Sequence, residues 1–88
     1  MDIDSVHARI EHESAELRAR YLQITTCNTA LVQWNEAGKK RYSLKLDLRW
    51  PQHQTLLNGD AMDDVGAAIA AAFARARQRV QEAAWANR

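Results

Sequence analysis

The sequence predicts an α+β domain in which two helices pack on one face of a three-stranded antiparallel sheet. Three observations lead to this fold class. Apolar residues recur at helical spacing near both ends of the chain, apolar and polar residues alternate through its middle, and turn residues separate these segments. The chain has 88 residues, which is the length of one domain, so we expect residues 1–88 to form a single unit.

The first helix is predicted over about residues 5–22. Its apolar residues are separated by four, seven and four positions, which places them on one side of a helix. They are Val6, Ile10, Leu17 and Tyr21. Asp4 or Ser5 is expected to cap the amino end by accepting a hydrogen bond from a free backbone N–H group.

Three strands are predicted after this helix. Residues 24–34 lose the helical period and are rich in β-branched side chains, which favours a strand. Residues 35–38 form the turn, where Gly38 can take a positive φ. Residues 41–50 alternate without a break, with leucines and aromatic residues on one face and polar residues on the other. Pro51 ends this strand, and a third strand is expected over 55–58.

The second helix is predicted over about residues 61–84. Its apolar stripe consists of Met62, Val65, Ile69, Phe73, Ala76, Val80 and Ala83. Asp60, Asp63 and Asp64 lie at the amino end, where carboxylates cap free N–H groups and complement the helix dipole. We expect the two helices to run roughly parallel and to cover the same apolar sheet face.

Composition excludes several classes of protein. Lys and Arg number 12 against 11 Asp and Glu, so the net charge of +1 is not that of a globally basic nucleic-acid protein. A single cysteine excludes an internal disulfide, and the first residues lack the basic and apolar regions of a signal peptide. No charge-free run is long enough for a membrane span. We therefore expect a cytoplasmic protein with no membrane partner.

Catalytic and metal-binding signals are also missing from the sequence. His7, His12, His53 and Cys27 do not have the spacing of metal ligands, and Cys27 is expected to be a small buried strand residue. The chain contains no phosphate-binding glycine loop and no nucleophile elbow. A chain this short also has little room for a substrate pocket beside its core. We expect no enzymatic activity, no cofactor and no metal.

Two basic groups are the candidate binding residues. The first is Arg75, Arg77 and Arg79 on the second helix, and the second is Lys39, Lys40, Arg41, Lys45 and Arg49 along the turn and second strand. The first group is either a solvated face or a set of phosphate contacts. The second is either a solvated face or an electropositive surface for RNA or an acidic partner, and Asp47 lowers its potential. Among the tryptophans, Trp50 is predicted to be in the core, and Trp34 is either in the core or exposed for stacking. Trp85, close to the C-terminus, is either an interface anchor or folded back onto the domain.

Several runs of the sequence form a pattern that is found in one known family. They are Ile-Thr-Thr-Cys at 24–27, Gly38, Tyr-Ser-Leu-Lys-Leu-Asp-Leu at 42–48, Pro51, and the alanine- and arginine-rich run 64–80, and the first helix fits through the run 8–10 and through Leu17. This pattern resembles the ribosome hibernation promoting factor family, whose members are also called ribosome-associated inhibitors or sigma-54 modulation proteins. The resemblance covers nearly the whole chain. Each run is a packing pattern of moderate specificity.

The resemblance implies a β-α-β-β-β-α fold and binding to the small ribosomal subunit near the tRNA and mRNA channel. It further implies that translation is silenced in stationary phase or stress, without catalysis, and that the basic groups above contact ribosomal RNA. The alternative function is a protein-interaction or self-assembling module of the same fold that does not bind ribosomes.

The sequence departs from the family pattern in two ways. The family has a strand before the first helix, whereas this sequence begins near the helix cap, so the sheet has three strands or a further strand lies outside these residues. With three strands, the strand over Ile24 to Trp34 has an open edge, and we expect a homodimer through it. The first helix also carries Glu11, Glu13 and Glu16 among its arginines, which weakens the expected RNA contact there.

Overall fold

The structure, a computed structural model, describes the backbone of residues 3–86 and the side chains up to Ala83. The elements in chain order are α1 (Ile3–Arg20), β1 (Thr26–Glu36), β2 (Lys39–Trp50), β3 (His53–Asn58) and α2 (Val65–Ala86). The predicted α+β fold with the order α-β-β-β-α is therefore confirmed. Every predicted element is present, with its ends shifted by a few residues. The side chain of Trp85 lies outside the described part of the chain.

The sheet is antiparallel with the order β1-β2-β3, so β2 is its central strand. In its register Leu31 pairs with Leu44 and Leu46 pairs with Leu57, so these residues share one face of the sheet. The β1–β2 turn has φ of 52° at Ala37 and 80° at Gly38. Two successive positive φ values give a turn whose twist matches that of the strands. The positive φ of Gly38 was predicted from the sequence, and that of Ala37 was not.

The core lies between this sheet face and the two helices. Its buried residues come from α1, β2, β3 and α2 and from the segment between α1 and β1, while Cys27 of β1 is partly buried against them. The large ones are Val6, Ile10, Leu17, Ile24, Leu44, Leu46, Leu48, Trp50, Leu57, Ile69, Phe73 and Val80. Apart from Met62, which lies outside α2, the predicted apolar stripes and the core position of Trp50 are confirmed, with Tyr21, Val65 and Ala83 partly buried at the margin. Trp34 is half-buried and lies on the opposite sheet face.

The helices lie side by side and run in the same direction. Arg77 of α2 approaches Glu13 of α1, and further along both helices Gln81 donates a hydrogen bond of 2.8 Å to the Tyr21 hydroxyl. Helix α2 packs on β2 and β3, whereas α1 packs on β1 and on α2. Neither helix of the described residues 3–86 has the length and apolar content needed to cross a membrane.

Helix α2 begins at Val65, later than the predicted start near residue 61. The backbone N–H groups of Tyr42 and Met62 each donate to the other residue's carbonyl at 2.8 Å, so Met62 extends the sheet and does not join the helix. Asp64 caps α2 by accepting the N–H of Ala67 at 2.9 Å. The predicted capping role is therefore correct for Asp64, while Asp60 and Asp63 bind arginines instead.

Gly59 lies where β3 leaves the sheet beneath α2, and alanine at this position is expected to destabilise the fold. A Cβ atom there would be 2.9 Å from the Leu44 carbonyl oxygen and 3.0 Å from the Ala72 Cβ. The backbone cannot yield as a flexible side chain can, so we expect Gly59→Ala to lower the free energy of unfolding by about 1–3 kcal/mol. Urea denaturation measures this change, and an unaltered midpoint would contradict the close approach of α2 to this loop.

Candidate nucleic-acid interface

The predicted basic residues lie on two separate surfaces of the molecule. Arg75, Arg77 and Arg79 are on α2, and we call them the helix surface. Lys39, Arg41, Lys45 and Arg49 alternate with the buried residues of β2, which places them on the open sheet face, and we call them the sheet surface. Lys40 is exposed but belongs to the alternate set of β2 positions. Because the helices cover the other face, the structure does not bring the eight residues into one surface.

On the helix surface, Arg75 is held by groups near the end of β3. Its guanidinium donates to the Asn58 carbonyl at 3.0 Å and to the Asp60 carboxylate at 3.0 Å, while its side chain stays 49 % exposed. Both partners precede α2, so the contact ties the helix to the strand edge. Arg75 therefore has a structural role as well as a cationic one.

Arg77 and Arg79 differ in their surroundings. Arg77 turns toward α1, where the Glu13 carboxylate is 3.9 Å away. Arg79 has no carboxylate within 4 Å among the residues whose side chains are described. It lines a cleft of about 380 Å³ between α2 and β3, together with Arg75, Gln78 and the acidic Glu82. The helix surface thus has one free arginine beside one that is paired but half-exposed.

The sheet surface is more fully neutralised at its arginines. Arg41 is paired with Asp63, lies 3.5 Å from Glu36, and donates to the Ala61 carbonyl at 3.2 Å. Its side chain is only 28 % exposed. Arg41 therefore joins the β1–β2 hairpin to the segment before α2.

Arg49 binds Asp47 on the same strand, at 3.1 Å. The hydrogen bond from Arg49 lowers the pKa of the Asp47 carboxyl, and Gln54 adds a second donor at 3.2 Å. Because the lowered pKa belongs to the folded state, this contribution to stability is present above the ordinary pKa and is lost as the pH falls. Lys39, Lys40 and Lys45 are exposed, and no described carboxylate lies within 4 Å of them.

Four of the eight predicted residues are thus paired with carboxylates of the same chain, namely Arg41, Arg49, Arg75 and Arg77. Sequence reasoning missed most of these pairs because the acids are distant in the chain. Asp60 and Asp63 were assigned to helix capping, yet they reach arginines 15 and 22 residues away. The Asp47–Arg49 pair could have been found, since residues two apart in a strand share a face.

The residues tested for catalysis or metal binding do not converge. The Cys27 thiol is half-buried and lies 3.8 Å from the Ser14 hydroxyl, and burial raises its pKa, which keeps it protonated. His12 lies 3.2 Å from Glu16 on the surface of α1. No group of three or more metal-ligating side chains is present in the described part of the chain.

Comparison with protein-family models, with curated proteins and with solved structures finds no match to this chain. The likeness to the hibernation factors therefore rests on the sequence runs given above.

Proposed function

We propose that this protein binds the small ribosomal subunit through RNA phosphates and blocks translation by occupying the path of mRNA and tRNA. The observation that carries the proposal is the helix surface, where Arg75 and Arg79 lie one turn apart and line the same cleft. The sequence likeness to hibernation factors supplies the identity of the RNA. The α-β-β-β-α order agrees with the fold which that likeness implies, apart from the first strand.

The internal ion pairs of the helix surface do not prevent this binding. Exposed ion pairs contribute about 0–1 kcal/mol each, because water and salt screen them. A phosphate that approaches Arg75 or Arg77 competes with a partner held at that strength, while Arg79 has no ion pair among the described side chains. When a phosphate replaces the carboxylate partner of an arginine, the displaced carboxylate stays nearby and lowers the affinity for RNA. It also limits the number of phosphates that are fully neutralised.

The proposed mechanism is occupancy without chemistry. Contacts to phosphates fix the position of a protein on RNA and carry no sequence information, so the domain would recognise the shape of the RNA. The activity needs no cofactor and no reacting side chain. The proposed binding to ribosomes also implies a location in the cytoplasm, where ribosomes are found.

A reconstituted translation reaction tests this proposal. Adding the purified protein to washed ribosomes is expected to lower protein synthesis in proportion to the fraction of small subunits occupied. The matched control is Arg75→Glu with Arg79→Glu, which should leave synthesis near its starting rate. Synthesis that is unaffected by the wild-type protein at saturating concentration would exclude silencing.

A second candidate function is a protein-interaction module that does not bind ribosomes. The observation in its favour is the outer edge of β1, which no described strand covers. The homodimer expected from the sequence through residues 24–34 belongs to this candidate and stays a prediction. Light scattering on the purified protein measures its mass in solution and separates a monomer from a dimer.

A further inference from the structure

The outer edge of β1 offers a regular row of backbone hydrogen-bonding groups. The even-numbered residues of β2 bond toward β3, because Gly59 donates to the Leu44 carbonyl and Tyr42 exchanges two hydrogen bonds with Met62. The odd-numbered residues of β2 therefore face β1, where the register pairs them with even-numbered residues. The N–H and C=O groups that point outward belong to Cys27, Thr29, Leu31, Gln33 and Asn35.

The sequence of β1 has none of the residues that normally block strand addition. No charged residue, proline or glycine occurs between Tyr21 and Asn35, and β1 is 11 residues long. The opposite edge of the sheet is less open to strand addition, because β3 has only six residues and Arg75 donates a hydrogen bond to the Asn58 carbonyl there. Within residues 3–86, one edge of the sheet is thus protected and the other has no strand paired to it.

Helix α1 extends over the space beside this edge. Within the described elements the backbone of α2 comes close to β2 and β3, while the backbone of α1 comes close to β1 and α2 but not to β2. Helices pack about 8–10 Å apart and strands about 4.8 Å apart, so α1 lies about two strands away from α2, over β1 and the position next to it. A cleft of about 260 Å³ opens there, and Leu31 in it is 39 % exposed.

We call the space beside β1 and beneath α1 the slot. We infer that the slot binds an extended segment of another polypeptide, which adds to the sheet as a fourth strand beside β1. Its backbone would pair with the outward groups of β1, and alternate apolar side chains would face Leu31 and Ile10 beneath α1. Uncharged residues suit the side that meets β1, which has no charge before Glu36, while His7 and Glu11 of α1 line the other side of the cleft. The inference rests on the interaction-module candidate and is independent of the RNA contact.

A second complete copy fits the slot less well than a bare strand. Antiparallel pairing of two β1 strands about a two-fold axis places both sets of helices on the same sheet face. Each α1 would then lie above the same pair of strands. Two helices need about 8–10 Å, but two strands span only about 4.8 Å, so one helix would have to leave its place.

The test uses a synthetic peptide of residues 26–36 with Cys27→Ser, which is a second β1 strand without its helix. Antiparallel pairing centred on Leu31 would engage all five outward-facing residues. We expect amide exchange, followed by NMR, to slow about tenfold or more at these odd-numbered residues when the peptide saturates the protein. The even-numbered amides of β1 are already bonded to β2 and should change little.

Three controls distinguish strand addition from nonspecific peptide binding. The same peptide with Thr29→Pro and Leu31→Pro cannot pair and should give no protection. The protein variant Leu31→Lys should lose peptide binding, whereas Leu56→Lys, at a position 72 % exposed on β3, should keep it. Ribosome binding should be unchanged in Leu31→Lys, and peptide binding unchanged in Arg79→Glu, so the two proposals fail separately.

Two results would overturn the inference. One is the absence of peptide-dependent protection along β1 while the protein stays folded. The other is a dimer of the protein alone in light scattering, with the odd-numbered amides of β1 already protected, since a second copy would then fill the slot.

Discussion

Replacing Phe73 with alanine is expected to lower the free energy of unfolding by about 3–5 kcal/mol. Phe73 is fully buried in α2 and belongs to the core cluster that joins the helices to the sheet. Its removal loses the transfer free energy of the ring and leaves a cavity. A chain of this length has a total stability of about 4–13 kcal/mol, so the variant should be close to unfolding at ordinary temperatures.

Urea denaturation of Phe73→Ala followed by circular dichroism measures this change. The matched control is Leu56→Ala, which removes an apolar side chain that is 72 % exposed. That variant should change the free energy of unfolding by less than about 0.5 kcal/mol. Similar losses for the two variants would mean that the core does not lie between α2 and the sheet.

Reversing the charge of Arg75 and Arg79 together is expected to lower the affinity for small ribosomal subunits by about tenfold or more. Each lost phosphate contact also reduces the slope of log affinity against log salt by about one, so the slope should fall by about two. Arg79→Glu alone is the cleaner variant, because Arg79 has no described ion pair to lose. Arg75→Glu also removes the contacts to Asn58 and Asp60, so folding must be checked alongside binding.

Two further double variants, with the same change in net charge as Arg75→Glu with Arg79→Glu, show which surface binds the RNA. Arg9→Glu with Arg18→Glu changes α1, and Lys39→Glu with Lys45→Glu changes the sheet surface. If the helix surface holds the RNA, both should bind within about threefold of wild type, beyond a general electrostatic loss. An equal loss in all three variants would attribute binding to overall charge and not to α2.

Local patterning was enough to predict the fold, because each element carries its own signal. The unbroken alternation of residues 41–50 and the apolar spacing of both helices fixed element type and core face before any contact was known. The start of α2 was placed too early, since the pairing of Met62 with Tyr42 is a long-range contact with no local trace. The positive φ of Ala37 was missed because alanine gives no turn signal.

The candidate site was predicted less completely than the fold. The basic residues and their exposure followed from alternation and helical spacing, but the partners of Arg41 and Arg75 depend on how the segment before α2 crosses the sheet. Asp60 and Asp63 have the composition of a helix start, so a sequence pattern assigns them to capping. Only folding brings these two aspartates close to Arg41 and Arg75. The fold therefore decides which of the basic residues are paired with carboxylates.

The most direct test of the RNA contact is co-sedimentation of the wild-type protein with small ribosomal subunits across a salt series. We predict binding at about 50 mM salt that weakens steadily toward about 200 mM, with a log–log slope that corresponds to two or more phosphate contacts. An absence of binding at the lowest salt, or binding that does not change across the series, would contradict the proposal that arginines of α2 hold ribosomal RNA.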